Sequence, residues 1–251
     1  MSNEPSSPSP LPGADEFLRK LGIDSHDSDF TRLRDQVKRA IDLNLDLNAA
    51  APSHWEDPYI EKFVTPNSSV IDLGCGNGQL LAHLAKTRHA VVQGVENDEE
   101  AVLQCIERGV PVYHDRIVKA LHTMNDKAYD FAVLENTLQT LVYPYDVLTE
   151  MLRVAKTVIV SFPNFAHWTI RMAFSIGGRM PVTSALPYSW YNTPNIHLCS
   201  ITDFQDWMSK AKVEMVDAYV YVEGKVVPFQ TEGHHHNITA EQALFILRSQ
   251  E

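Results

Sequence analysis

The segment VIDLGCGNGQLL (70–81) constrains this chain more than any other part of it. A β-prone apolar run enters the segment, Gly74, Gly76 and Gly78 follow, and a helical pattern leaves it. Glycines at such a strand-to-helix turn admit close backbone approach by a ligand, where a side chain would block it or force a forbidden conformation. In open α/β sheets, ligands sit beyond the carboxyl ends of the strands at the topological switch point, where this loop belongs.

The flanking sequence predicts that sheet. Short apolar runs, VIDL (70–73), AVVQGV (90–95), VPVY (110–113), YDFAVL (129–134) and TVIVSF (157–162), alternate with periodic segments such as QLLAHLAKTR and YDVLTEMLRVA. Strands alternating with helices indicate βαβ units joined into a parallel sheet. The ending differs. VEMVDAYVYV (213–222) and ALFILR (243–248) are joined by a polar loop with no helix of convincing length, which predicts an antiparallel pair at the sheet edge. The expectation is a Rossmann-like α/β fold with a seven-stranded, mostly parallel sheet.

Two ligands could use the glycine loop. A dinucleotide fingerprint needs G-x-G-x-x-G, and counting from Gly74 places Gln79 at its last position, so that fingerprint fails. The pattern present carries an acid, Asp72, ahead of the glycines, which suits a ligand bearing an ammonium and a sulfonium rather than a pyrophosphate. The next strand ends in GVEND, so Glu96 sits at its carboxyl tip. A carboxylate there can accept hydrogen bonds from both hydroxyls of a ribose.

Composition narrows the remaining classes. With 32 acidic residues against 21 Lys and Arg, the net charge is −11, and such a surface repels phosphate backbones and anionic headgroups. No Lys/Arg run offsets it, so neither nucleic acid nor membrane is an expected partner. Cys75, Cys105 and Cys199 lack metal or disulfide spacing and suit a reducing, cytoplasmic setting. No apolar stretch is long enough to span a bilayer, and the N-terminus has no signal pattern.

Three regions are expected along the 251 residues. Residues 1–13 (MSNEPSSPSPLPG) have the composition of a disordered tail. Residues 14–54 form a helical extension, in which Phe30, Leu33, Val37, Ile41 and Leu45 mark one apolar face. Residues 55–251 form the ligand-binding domain.

The longer blocks LENTLQTLVYPYDVLTEMLRVAKTVIVSFPNFAHW and GRMPVTSALPYSWYNTPNIHLCSITDF carry a specific resemblance. With the Asp72–Gly78 loop and Glu96, they resemble the MetW family of methionine biosynthesis proteins, within the class I S-adenosylmethionine-dependent methyltransferases. The resemblance runs from about Asn67 to Arg248 and includes the terminal NITAEQALFILR. It implies binding of S-adenosylmethionine or S-adenosylhomocysteine, and association with a MetX-type homoserine O-acyltransferase. It also implies that Asp72, Gly74, Gly76, Gly78 and Glu96 line the cofactor site, with Asp115 near the adenine and Glu135 and Asn136 near the methionine end. The chain departs from the family pattern at HDRIVKAL after the third strand, and at Glu135–Asn136, where Ser-Gln is commoner.

Candidate residues for chemistry are fewer. A methyl transfer needs alignment and sometimes a base. His167 and His197 are candidates for that base, and each also reads as a histidine tying down a loop. SFPNF follows the fifth strand and lacks a second proline, so it is not the Asn-Pro-Pro-aromatic box of amino-group methyltransferases. The aromatic segment 177–198 suits either an interface or a cap over the pocket. GHHHN (233–237) reads as a solvated loop, and no metal site is expected. Without a nucleophile elbow, the chain is not expected to be the acyltransferase itself. Two functions remain open: an accessory subunit of that acyltransferase, and an active methyltransferase on an unknown acceptor.

Overall fold

The computed structural model describes residues 54–177, 180, 182–183, 186–231 and 235–250. The chain runs through helix α1 (Asp57–Phe63), β1 (Ser69–Leu73), α2 (Gln79–Arg88), β2 (Val91–Glu96), α3 (Glu99–Glu107), β3 (Val112–His114), α4 (Ile117–His122) and β4 (Tyr129–Leu134). It continues through a 3-10 turn (Leu138–Thr140), α5 (Pro144–Val154), β5 (Ala155–Pro163), α6 (Trp168–Gly177), α7 (Ile201–Ala211), β6 (Val213–Val222), β7 (Lys225–Pro228), α8 (His235–Thr239) and β8 (Gln242–Ser249). The expected tail and helical extension lie outside the described residues, apart from His54.

All eight strands join one sheet in the order β3-β2-β1-β4-β5-β8-β6-β7. The first five pair in parallel, and β8 pairs antiparallel with both β5 and β6. This is the expected class of fold, with one strand more than the seven read from the sequence. The extra strand, β7, pairs with β6 through a two-residue turn in which Glu223 and Gly224 have φ of 47° and 79°. Positive φ at both central residues fits the right-handed twist of a tight hairpin.

Strand alternation builds a core on each face of the sheet. In β4, Ala132 and Leu134 join one cluster while Phe131 and Val133 join the other. The first cluster is closed by α4, α5 and α7 through Leu121, Leu148 and Phe204. The second is closed by α1, α2 and α3 through Ile60, Leu81 and Cys105. Helix α7 starts at a capping box: the Ser200 hydroxyl accepts from the Asp203 N–H, and the Asp203 carboxylate accepts from the Ser200 N–H. Among the described residues, no helix is long and apolar enough to cross a membrane.

The histidine-rich loop is a correction. His235 to Thr239 form a short helix rather than a solvated loop, and His236 is buried. Its Nδ1 lies 3.1 Å from the Gln230 N–H as acceptor, and its ring packs 5.5 Å from Phe229. Burial against an aromatic, with one backbone donor to satisfy, fixes that imidazole in place.

Candidate functional site

The sheet changes direction at β1, which has β2 on one side and β4 on the other. The loops leaving β1 and β4 therefore part at their carboxyl ends and open a cleft. It encloses about 410 Å³ and is lined by His54, Asp72, Gly74–Asn77, Gln79, Leu80, Glu135 and Asn136. Asp72, Gly74, Gly76, Glu135 and Asn136, all expected at the ligand, are brought together here.

The glycine loop is shaped by both conformation and space. Gly76 has φ of 51°, and a Cβ added there would meet nothing within 4 Å, so bare backbone faces open space. Gly78, the N-cap of α2, has φ of 75°, and an added Cβ would fall 2.9 Å from the Cys105 Sγ. One glycine leaves the cleft face of the loop clear and the other keeps a packing contact.

Glu96 stands at the tip of β2 and closes this loop from behind. Its Oε2 accepts from the Gly76 N–H at 2.9 Å, and its Oε1 accepts from the N–H groups of Asn97 and Asp98 at 2.7 and 2.9 Å. The carboxylate thus holds the loop against the strand, a role the sequence did not announce. A carboxylate has about four acceptor positions, so capacity remains for a ligand hydroxyl.

Asp115 lies one residue beyond β3 and is tied to Glu96 through its own N–H, which donates to the Glu96 carbonyl at 3.1 Å. Its carboxylate accepts from Lys119 Nζ and the Arg116 N–H, each at 2.8 Å, and these bonds hold its pKa below the usual range. It does not line the cleft.

Acidic groups crowd around this cleft. Asp72 is 3% exposed, and its Oδ1 has no hydrogen-bond partner. Burial, reinforced by the charges of Asp57 and Glu96, pushes its pKa up to about 7. Glu135 is raised to about 8 by burial and then by Asp72 and Asp57. Glu56 is fully buried and raised to about 7, first by burial and then by Glu135. Asn136, held at φ of 47°, donates from Nδ2 to Glu56 Oε1 at 2.7 Å and so pins α1 across the cleft. Buried carboxylates crowded together with an unpartnered oxygen leave a demand for positive charge.

His54, Glu56 and Asp57 escaped the sequence reading. Their only signal was position: HWED stands directly before Pro58, at the start of α1. The Trp55 indole anchors this segment, donating to Gln242 Oε1 at 2.6 Å and packing 5.8 Å from Tyr221.

The two histidine candidates sit elsewhere. His167 Nδ1 lies 2.7 Å from the Thr169 hydroxyl, and burial pushes its pKa down to about 4, so it is a neutral ring at physiological pH. His197 Nε2 lies 3.3 Å from the Val142 carbonyl. It lines a separate apolar recess of about 590 Å³ with Val142, Tyr143, Tyr145, Leu148, Leu198 and Phe204. Nor does the aromatic segment cap the cleft, since none of its described residues lines it. In SFPNF, Asn164 is a structural knot: Nδ2 donates to the carbonyls of Asn237 and Ala240, and Oδ1 accepts from the N–H groups of Ala166 and Ile201.

The family model described as methionine biosynthesis protein MetW matches residues 55–247. The chain belongs to the MetW family. Among its relatives is the bifunctional methionine biosynthesis protein MetXA/MetW of Rhodopirellula baltica, 33% identical over 201 residues. That match covers 76% of this chain and 31% of the relative, so the MetW-family chain spans about a third of that relative's length.

Solved structures agree on the architecture. A Thermotoga maritima S-adenosylmethionine-dependent methyltransferase, titled a possible histamine N-methyltransferase, superposes with a TM-score of 0.56 at 17% identity, over 88% of this chain and 98% of that one. A methyltransferase from Archaeoglobus fulgidus gives 0.55 at 15%, over 77% and 91%. The cyclase SpnF gives 0.56 at 14%, over 82% and 85%. At these identities the likeness establishes the fold alone, and SpnF shows that the fold also carries a different named activity.

Proposed function

We propose that this MetW-family chain is a cytoplasmic protein that holds S-adenosylmethionine or S-adenosylhomocysteine in the Asp72–Glu135 cleft and serves as accessory partner of a MetX-type homoserine O-acyltransferase. The observation that carries the partnership is the relative whose name joins MetXA and MetW in one polypeptide. Covalent linkage keeps two modules at millimolar effective concentration, which profits only modules that act together.

The cleft supports the ligand. When bound, the sulfonium nucleoside supplies an activated methyl group and fixed positive charge. Asp72, with its unpartnered buried oxygen, and Glu135 answer positive charge. Gly76 leaves room for close approach, and Glu96 keeps the loop in place while retaining acceptor capacity for a sugar hydroxyl. The residues present fit the group.

The apolar recess beside the cleft supports a partner. Val142, Tyr143, Tyr145 and Leu198 are exposed around it, and aromatic and aliphatic side chains clustered in the open are the material of interface cores. Purifying the acyltransferase with and without this chain tests the proposal. Co-elution and a change in acylation rate that responds to S-adenosylhomocysteine support it. Separate elution with unchanged activity rejects it.

One observation favours a second reading, active methyl transfer. Glu135 lines the cleft, and a carboxyl with a pKa of about 8 is tuned near the range where a general base works well. Labelled methyl incorporation into a cell extract would support catalysis, and a blank result across extracts would reject it.

A further inference from the structure

At the rim of the cleft, one imidazole nitrogen and two carboxylate oxygens converge. His54 Nδ1, a carboxylate oxygen of Asp57 and one of Glu135 all lie within 4.8 Å of one another. His54 Nδ1 is 3.2 Å from Glu135 Oε1 and 3.9 Å from Asp57 Oδ1. Ions such as Zn²⁺ bind nitrogen and oxygen at about 2.0–2.2 Å, which places pairs of ligand atoms roughly 3.0–4.4 Å apart. The three donors therefore need only small side-chain rotations to share one ion.

A second observation points the same way. Asp72 is almost wholly buried in the cleft that His54 and Glu135 line, and its Oδ1 lacks any hydrogen-bond partner. Its charge acts on Glu135, and the charge of Asp57 acts on it, so the orphaned oxygen belongs to the same electrostatic cluster. A buried carboxylate oxygen with no donor is costly unless something supplies a cation or a polarised water.

We infer that His54, Asp57 and Glu135 form a divalent-cation site at the rim of the cleft, with Asp72 as acceptor for a water on the ion. One imidazole and two carboxylates form a borderline donor set, suited to Zn²⁺ or Mn²⁺ rather than to a soft ion that prefers thiolates. Three protein donors leave at least one coordination position for water or an oxygen of a second ligand. The site would thus present a Lewis acid to a hydroxyl- or carboxylate-bearing molecule in the cleft. It joins His54 and Asp57, before and at the start of α1, to Glu135 just after β4, and it shares Glu135 and Asp72 with the proposed nucleoside cleft.

The test uses the full chain, stripped with a chelator and titrated with Zn²⁺ and Mn²⁺ by calorimetry, then loaded with Co²⁺ for absorption spectroscopy. One equivalent should bind, with weak d–d bands and no thiolate charge-transfer band. Loss of an outer-sphere partner typically weakens metal binding about 10–100-fold, so His54→Gln and Asp57→Asn, which remove a direct donor, should each weaken it by at least about 100-fold. Circular dichroism of both variants confirms that they fold, and the wild-type Co²⁺ spectrum reports the donors without any substitution. No binding by the wild type, a thiolate band, or unaltered affinity in both variants overturns the site. Titration with S-adenosylhomocysteine in parallel keeps the two readings apart, because either ligand can bind while the other fails.

Discussion

The Glu96 carboxylate accepts a hydrogen bond from the Gly76 N–H at 2.9 Å, so the acid expected to hold a ribose also holds the glycine loop of the cleft. With Asn97 and Asp98 it takes three backbone donors in all. Loop geometry and the proposed ribose contact thereby depend on one side chain. Hydrogen bonds to charged groups contribute about 1.5–3 kcal/mol each, so Glu96→Ala should weaken S-adenosylhomocysteine binding by at least about 2 kcal/mol, roughly 30-fold. It should also lower the melting temperature, because three donors lose their acceptor. Calorimetric titration and a thermal melt check the two halves. A lower melting point with full affinity would leave Glu96 a purely structural residue.

Gly76 and Gly78 separate ligand space from packing. Both lie at positive φ, where a β-carbon costs about 1–2 kcal/mol. In Gly78→Ala the new methyl also meets the Cys105 Sγ at 2.9 Å, so this variant should be the less stable of the two. In Gly76→Ala the methyl enters open cleft, so its main loss should be affinity for S-adenosylhomocysteine, by tenfold or more. Thermal melts paired with titrations decide between them. The reverse ranking would mean that the ligand approaches elsewhere.

What the sequence made legible follows from locality. Strands β1, β4 and β5, buried over most of their length, read as largely apolar runs, and the acid–glycine loop lies within a few residues of one of them. Strand β7 was illegible because it is four half-exposed residues, turned by a Glu–Gly pair in place of the usual Asn–Gly. The acid cluster was illegible for a different reason. Glu56 meets Asn136 across 80 positions, and His54 meets Glu135 across 81. Periodicity carries no information about contacts at that separation. Asp115 and His167 stood at suitable sequence positions, yet the structure gives their side chains other partners.

The raised carboxyls give the cleft a pH signature. Burial, and after it the charges of Asp72 and Asp57, raises the Glu135 carboxyl from its ordinary 4.5 to about 8, so the native state holds more protons than the unfolded chain between those values. Its burial therefore opposes folding increasingly as pH rises from about 4.5 to 8, and the penalty is fully present above that. Glu135→Gln should raise the melting temperature relative to wild type at pH 9, by about 2–4 °C per 1 kcal/mol relieved, and the gain should vanish below pH 4.5. A cation in the cleft favours the ionised forms, so S-adenosylmethionine should bind more tightly at pH 8.5 than at pH 6, with protons released. The neutral thioether of S-adenosylhomocysteine should show a shallower dependence. Titrations in buffers of different ionisation enthalpy count those protons. A flat pH profile for both ligands would remove the acids from the binding site.

The apolar recess makes the partnership testable without disturbing the cleft. Tyr143 and Leu198 are 64% and 60% exposed on its wall, and neither lines the acid-rich cleft. Substitutions at such exposed positions usually change stability by no more than about 0.5 kcal/mol, so folding should survive both Tyr143→Ala and Leu198→Asp. Buried at the centre of an interface, the same side chains become anchors worth about 2 kcal/mol or more, roughly 30-fold in affinity. Leu198→Asp adds a charge that would have to be desolvated, so its loss should be the larger. Size-exclusion chromatography with the acyltransferase, followed by titration of the complex, measures the effect. If both variants co-elute with wild-type affinity and titrate S-adenosylhomocysteine normally, the partner docks on another face of the molecule.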